Sequence, residues 1–290
     1  MHKFLRAIGF SDITKKDLEM ILDEVITRPE IMKITQDSEG NEFAELSGSF
    51  AANAGITVRG TYQEDDSFHM DYYYPYVFGT SITTNEQIDV EKHAEKESYA
   101  GVCDEVNLGV TLIFYIQNVA DYLAETNRHL SKIHYGAMLA GLSTEGKILC
   151  PVVERKKNDV PAIQKNDRHN QLIAQAREGD EDAIESLTLE DMDTYALLSQ
   201  RVMKEDIFSI VKSTFMPFGI ESDQYTVLGE IIDCVTMENR LTHEKLYGMK
   251  LLCNNIQFDV CINEKDLLGE PAIGRRFRGN VWMQGNLCLE

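Results

Sequence analysis

Long apolar segments are missing from this 290-residue chain. Runs such as VTLIF, Val110 to Phe114, fall far short of the roughly 20 apolar residues that a membrane-spanning helix needs. The opening sequence, MHKFLRAIGFSDITKKD, lacks the continuous apolar stretch and the small-residue cleavage site of a signal peptide. We therefore expect a cytoplasmic protein that has no membrane span.

Patterns that bind metals or form disulfides are also missing. The six cysteines are widely spaced and nowhere form C-x-x-C, and disulfides are rare in the cytosol, so we expect reduced thiols. Among the seven histidines only His129 and His134 lie close together, and their five-residue separation does not place two imidazoles on one helix face. The sequence predicts neither a metal site nor a cofactor.

Local catalytic signatures are absent as well. The chain contains no G-x-S-x-G, no Walker loop and no G-x-G-x-x-G. The acidic stretch from Glu178 to Asp193 lacks the alternating carboxylates of a calcium loop, and helix capping with a solvated face explains it better. An active site assembled from distant residues stays compatible with these absences, because catalytic triads need not be adjacent in sequence. No catalytic residue is identified.

Negative charge is what the chain has in excess. It carries 48 acidic and 28 basic side chains, a formal net charge of −20, and the excess extends along its whole length. Such a field repels phosphate backbones over about one Debye length, roughly 8 Å at physiological salt. We therefore expect no nucleic-acid partner. The partners that we expect are a protein or a small anionic ligand bound at a local site.

Residues 1–153 have the patterns of an α+β domain that is mostly antiparallel. A helix is predicted from Thr14, a potential cap, to Pro29, which ends the 3.6-residue apolar pattern. Strand patterns at AELSGSF, GITVRGTYQ and FHMDYYYPYVFG indicate an antiparallel meander, and GVTLIFYIQ and NVADYLAETNRHL predict a further strand and helix. HYGAMLAGLSTEGKILCPVV is predicted to form a hairpin that turns at residues 143–146.

The rest of the chain divides in two by its patterns. Residues 154–219 combine a polar connector with 3.6-residue periodicity and are predicted to form a helical middle segment. From residue 220 the period changes to two, so residues 220–290 are predicted to form a small β-rich domain, a twisted sheet or partly open barrel. The predicted fold class is therefore α+β, and no internal sequence repeat is evident.

Four stretches of the chain resemble a known family: MHKFLRAIGFS, LIFYIQN, AREGDEDAIESLTLEDMDTY and CINEKDLLGEPAIGRRFRGNVWMQG. The resemblance covers essentially the full length, and the family is the uncharacterised bacterial one known as domain of unknown function 3881. It implies no reaction, ligand or catalytic residue, because none is assigned to that family.

A run of tyrosines is the first candidate binding site. Tyr72, Tyr74 and Tyr76, in DYYYPY, would share one face of a strand, and an exposed aromatic row offers a partner rigid contact area. Packing within a half-buried sheet is the alternative explanation for this row, and the pattern favours it.

An arginine cluster beside the only tryptophan is the second candidate site. Arg276, Arg278 and Trp282 would lie on one strand face, opposite Phe277, and Arg275 precedes them. Guanidinium groups near an indole suit the binding of a carboxylate or phosphate. The alternative, which we favour, is structural: the arginines pair with carboxylates of the same chain, and the tryptophan packs on an arginine stem.

Two function hypotheses follow. The missing catalytic signatures and the two candidate clusters favour a cytoplasmic, non-enzymatic binding or protein-interaction protein. The alternative is a hydrolase or transferase whose active site is assembled between the N-terminal and C-terminal halves. A deep pocket lined by a titratable pair with perturbed pKa values would favour the enzyme.

Overall fold

The computed structural model describes most of the chain: residues 1–92, 97–127, 134–152, 211–220 and 222–289, with short stretches between 172 and 187. These residues build two β-sheets, one of four strands and one of ten. Within the same residues, no helix combines the length and the apolar character needed to cross a membrane.

The first sheet is the predicted antiparallel meander, and the helix before it is also confirmed. Helix α1, Lys15–Thr27, is capped by the Thr14 side chain, which accepts a hydrogen bond from the Asp17 N–H at 3.2 Å. Strands β1 to β4 follow in spatial order, each antiparallel to the next. Their bounds are Ile31–Gln36, Glu42–Ala51, Ala54–Tyr62 and Phe68–Val77.

The two faces of this sheet differ in chemistry, because side chains alternate along a strand. Leu46 and Gly48 of β2 lie on the face that carries α1, where the Val25 side chain packs directly over Gly48. Glu45 of β2 and Arg59 of β3 lie on the opposite face and are also buried. The sheet is therefore covered on both sides, and its second face is polar although it is buried.

The second sheet contains strands β5 to β14. Their bounds are Thr84–Lys92, Tyr99–Glu105, Val110–Ile116, His134–Leu149, Thr214–Pro217, Gln224–Glu238, Lys245–Cys253, Ile256–Asn263, Leu267–Leu268 and Arg276–Leu287. Helix α2, Val119–Asn127, lies between β7 and β8 in the chain. Short 3₁₀ helices occupy Lys3–Ile8 and Glu264–Asp266.

The strand pairings close two rings of five strands that share β8 and β14. One ring is β5-β6-β7-β14-β8. The other is β10-β11-β12-β8-β14. In the first ring β7, the last strand of the meander β5-β6-β7, pairs in parallel with β14 of the C-terminal half. In the second ring β12, the last strand of the meander β10-β11-β12, pairs in parallel with β8 of the N-terminal half. Each half thus completes the ring of the other, a topological repeat that the sequence does not show.

The rings surround the larger apolar core. Phe114 of β7 and Val260 of β12 are almost fully buried in one continuous cluster. Phe277, Val281 and Met283 of β14 belong to it as well, which confirms the predicted alternation of this strand. The side chains between them consequently point to the outer face of the rings.

The α+β assignment is wrong, because the described residues are mostly β-strand and strands supply most of the larger core, to which helix α2 adds Val119, Ala120 and Leu123. The predicted hairpin at residues 143–146 is also wrong, since β8 is a single strand of 16 residues. Where the sequence suggests a turn, the pairing of β8 with β14 skips one residue, Thr144. Turn-forming residues here produce a β-bulge, which bends a strand without ending it.

The predicted helical middle segment, residues 154–219, lies for the most part outside the described residues. In its described part, short stretches between 172 and 187 are helical, and Thr214–Pro217 forms strand β9. The domain boundary near residue 153 stays a prediction. Strands from its two sides pair directly, β8 with both β12 and β14, so the two halves contribute to one sheet.

Candidate functional site

A buried arginine occupies the polar face of the first sheet. Arg59 has no exposed surface, and its Nε donates to Glu45 Oε1 at 2.6 Å. Its Nη1 donates to the hydroxyls of Tyr72 at 2.9 Å and Tyr115 at 2.7 Å. Because Glu45 and Arg59 are directly opposite in the β2–β3 register, their pairing follows from the hairpin itself.

The third nitrogen of Arg59 joins the first sheet to the second. Its Nη2 donates to the backbone carbonyls of Ile116 at 3.0 Å and Gln117 at 2.9 Å, and to the Tyr74 hydroxyl at 3.2 Å. Burial by itself would lower the pKa of Arg59, but Glu45 and the surrounding tyrosines raise it well above its usual value. The guanidinium is therefore a permanently charged and fully bonded anchor between the two sheets.

The three candidate tyrosines of β4 belong to this interface. Tyr72 and Tyr74 bond Arg59, and the Tyr76 ring stacks on Phe78 with ring centroids 4.3 Å apart. Burial raises the pKa of Tyr76 to about 12. Tyr74 and Tyr76 are buried and Tyr72 is half-buried, so the row faces inward. Its role in binding a partner stays a prediction.

A cleft of about 320 Å³ lies beside this network, between β1, β2 and β3, the start of α2, β8 and the end of β14. This volume lies at the lower end of the range of small-molecule pockets. Its apolar walls are formed by Ile31, Phe78, Met138 and Leu287. Residues of both halves of the chain meet here.

The charged groups of the cleft are already engaged. Oε2 of Glu45 accepts the Ala120 N–H at 2.8 Å, in the first turn of α2, while Oε1 binds Arg59. At the mouth, Lys33 forms an ion pair with Asp121. The cleft therefore presents balanced pairs of charges rather than an excess of either sign.

Most uncharged polar groups of the cleft also have partners. The hydroxyls of Ser47 and Thr57 lie 2.8 Å apart and share a hydrogen bond. The Asn118 side chain accepts from the Leu287 N–H at 2.9 Å and donates to the Leu287 carbonyl at 3.0 Å. This bidentate contact attaches the start of α2 to the end of β14.

Gln117 is the exception among these groups. It is 4% exposed, and its Nε2 donates to the Val77 carbonyl and to Gln284 Oε1, both at 2.9 Å. Its Oε1 is buried and has no hydrogen-bond partner among the described residues. Buried polar atoms are nearly always bonded, so this oxygen stands out among the polar groups around the cleft that the structure describes.

A family model described as "Domain of unknown function, E. rectale Gene description (DUF3881)" matches residues 5–285. The chain belongs to this family. No curated protein and no solved structure matches the chain. These comparisons assign no function to this DUF3881 member.

Two of the three candidate arginines are held by backbone carbonyls. Arg275 Nη1 donates to the Glu270 carbonyl at 2.6 Å. Arg276 is 5% exposed and donates to the carbonyls of Cys150 at 2.9 Å and Val211 at 2.6 Å. The sequence favours carboxylates of the same chain as partners of these arginines. A sequence pattern gives no signal for a contact between a side chain and a backbone carbonyl.

Arg278 lies in a second, more open cleft of about 420 Å³ on the outer face of β8 and β14. Lys147 is directly opposite it in the register, and Phe218 and Leu268 form apolar parts of the lining. The structure thus separates Arg278 from the cleft at Gln117. Anion binding by the arginine stretch stays a prediction.

Trp282 belongs to a different environment from the arginines. Its ring stacks on Phe4 with centroids 5.3 Å apart and contacts Tyr115 with centroids 5.4 Å apart. Packing of the indole on an arginine stem stays a prediction. Its Nε1 donates to Asp223 Oδ2 at 2.7 Å. Through Tyr115, the tryptophan is connected to the Arg59 network.

A serine–lysine contact elsewhere lacks the neutral amine that a catalytic pair needs. Lys265 Nζ lies 3.0 Å from Ser11 Oγ, but it is also paired with Glu244 at 2.8 Å. Hydrogen bonding to Glu244 raises the pKa of Lys265, so the amine stays protonated and cannot accept a proton from Ser11. In the part of the chain that the structure describes, no three His, Cys, Asp or Glu side chains are grouped to hold a metal ion.

Proposed function

We propose that this protein binds a small molecule in the cleft at Gln117 and does not transform it. The observation that carries the proposal is a cleft of about 320 Å³ with apolar walls, to which both halves of the chain contribute. Small-molecule sites combine apolar surface with polar groups that fix the orientation of the ligand, and the lining of this cleft contains both. The six cysteines form no disulfide, which supports a reducing location, the cytoplasm.

The enzyme alternative draws support from one feature, the meeting of both halves of the chain at the cleft. The ionisable groups of the cleft argue against the enzyme alternative, because they are already paired. A general base needs a free lone pair within reach of the substrate, yet both oxygens of Glu45 are already bonded and Asp121 is paired with Lys33. Binding without turnover is therefore the function that the cleft supports best.

A probe and two matched variants test the proposal. Benzamide is a suitable probe because its ring fits apolar walls and its amide can meet polar groups. Ile31→Trp should fill the mouth of the cleft and abolish benzamide binding, measured by ligand-observed NMR. Ile34→Trp is the control, since Ile31 and Ile34 are similarly exposed, 43% and 45%, and Ile34 does not line the cleft.

Two outcomes would count against the proposed function. Benzamide binding that is equal in both tryptophan variants and the parent would place the site elsewhere. Hydrolysis of an ester such as p-nitrophenyl acetate that Ile31→Trp abolishes and Ile34→Trp leaves unchanged would favour the enzyme alternative.

A further inference from the structure

We propose that the ligand of the cleft at Gln117 is a zwitterion, an α-amino acid with an apolar side chain, whose two charges are bound by Lys33 and Asp121. This inference rests on the proposed function, because it names the chemical class of the molecule that the cleft would bind. In this class an ammonium and a carboxylate group are attached to one carbon atom, so the two charges lie close together and cancel.

The Lys33–Asp121 pair follows from the bonding of the polar face of the first sheet. Lys33 of β1 is directly opposite Glu45 of β2, which in turn is directly opposite Arg59 of β3. Both oxygens of Glu45 are already bonded, one by Arg59 and the other by the Ala120 N–H. Lys33 pairs instead with Asp121 in the first turn of α2. A cation and an anion from different elements therefore meet at the mouth of the cleft.

A molecule in the cleft can reach both charged groups. Lys33 and Asp121 line the cleft, and their side chains are 41% and 40% exposed. Their contact joins Lys33 Nζ to one carboxylate oxygen of Asp121, Oδ2. An ammonium group has three hydrogens and a carboxylate has two acceptor oxygens, so each group can bond a ligand while the pair stays formed.

The balance of charge at the mouth favours a ligand that carries both signs. A carboxylate placed against Lys33 also comes close to Asp121, and an amine placed against Asp121 also comes close to Lys33. Each attraction of a singly charged ligand is therefore offset by a repulsion. A zwitterion sets an opposite charge against both groups. The third charged residue of the lining, Glu45, is neutralised by Arg59 and does not change this balance.

The apolar walls determine the rest of the ligand. Ile31 lies two residues before Lys33, on the same face of β1, and it forms the walls together with Phe78, Met138 and Leu287. The side chain of an amino acid starts from the carbon that bears both charges, so it can extend from the mouth along these walls. Burial of its apolar surface there contributes to binding.

Three probes that differ only in their charged groups test this inference in the parent protein. L-Phenylalanine carries both charges at pH 7, 3-phenylpropionate only the carboxylate and phenethylamine only the ammonium. We expect the parent to bind L-phenylalanine about five- to fiftyfold more tightly than either other probe, between the effects of an exposed ion pair and of a charge-assisted hydrogen bond. Ligand-observed NMR measures this, and Ile31→Trp should abolish binding of all three probes.

Substitutions in the pair should change the preference in opposite directions. Lys33→Met removes the partner of the carboxylate, so this variant should bind phenethylamine at least as tightly as L-phenylalanine. Asp121→Asn removes the partner of the ammonium, so it should bind 3-phenylpropionate at least as tightly as L-phenylalanine. Lys245→Met is the matched control, because Lys245 is similarly exposed, 42%, pairs with Glu264 and lies outside the cleft. This control should keep the preference for L-phenylalanine.

The outcomes distinguish this inference from the function on which it rests. Equal binding of the three probes by the parent, lost in Ile31→Trp, would overturn the requirement for a zwitterion and leave the binding function standing. Tightest binding of 3-phenylpropionate or of phenethylamine would overturn it in favour of a singly charged ligand. Failure of benzamide and all three probes to bind would overturn the binding function and this inference together. The comparison in the parent decides the question even if a variant does not fold.

Discussion

Removing the Arg59 guanidinium is the sharpest test of how the two sheets are joined. Arg59→Met leaves Glu45, which is 4% exposed, as a buried carboxylate without its cation. It also removes the donors that the carbonyls of Ile116 and Gln117 accept. Breaking a buried pair by deleting one partner typically costs about 3–5 kcal/mol, because the remaining charge stays uncompensated. We expect a loss of stability of that size.

This loss would be a large share of the protein's free energy of unfolding. Domains are typically stable by only about 5–15 kcal/mol, so this substitution should move the urea midpoint far from that of the parent. Trp282 is the only tryptophan and contacts Tyr115, an Arg59 partner, so its fluorescence follows unfolding near the substitution.

A surface pair provides the control. Arg240 pairs with Glu30, and both side chains are about half exposed, at 51% and 43%. Arg240→Met should therefore change stability by about 1 kcal/mol or less. A loss below about 1 kcal/mol in Arg59→Met, with an unchanged denaturant slope, would refute the view that Arg59 anchors the sheets. In Arg59→Met with Glu45→Met, stability should partly recover, because no buried charge is left unpaired.

Two further predictions concern groups whose pKa values burial raises. Cys150 is exposed, whereas burial raises the pKa of Cys261 to about 12, so iodoacetamide at pH 8 should label Cys150 far faster, as peptide mapping by mass spectrometry would show. Similar labelling rates for the two thiols would contradict their burial. Burial also raises the pKa values of Cys253 and Tyr225 to about 12, so their protonated forms favour the folded state. The stability from these groups should be complete below the unfolded values, about 8.5 for Cys and 10 for Tyr, and should fall as pH rises toward 12. Urea midpoints at pH 7.5 and 10.5 measure this, and equal midpoints would argue against it.

The parts of the fold that sequence patterns predict are the local ones. Helix α1 has a cap and a stop, and β2 to β4 are neighbours in sequence joined by turn residues. The rings are different, because β7 pairs with β14 and β8 with β12 across more than a hundred residues. A period of two shows which side chains share a face, but it carries no information about the partner strand. The closed rings therefore could not be predicted.

The candidate site was missed for a related reason. In AELSGSF and GITVRGTY the polar residues alternate with apolar ones, and such a pattern normally indicates a face in contact with water. Here both faces are covered, so Glu45 and Arg59 are buried as a pair. A signal was present, because a β2–β3 hairpin that turns near Asn53 places these opposite charges directly across from each other. Reading register as well as periodicity would have found the pair.

The unbonded oxygen of the Gln117 side chain is a consequence of how the first ring closes. At the end of β7, Tyr115 and Ile116 pair in parallel with Gln284 and Gly285 of β14, and the Gln117 N–H donates to the Gly285 carbonyl at 2.8 Å. This pairing sets Gln117 and Gln284 side by side, so their amides bond each other. Because Gln284 and the Val77 carbonyl take both hydrogens of the Gln117 amide, its oxygen has to find a donor elsewhere. The strand pairing that joins the two halves of the chain thus also explains why this buried oxygen has no partner among the residues that the structure describes.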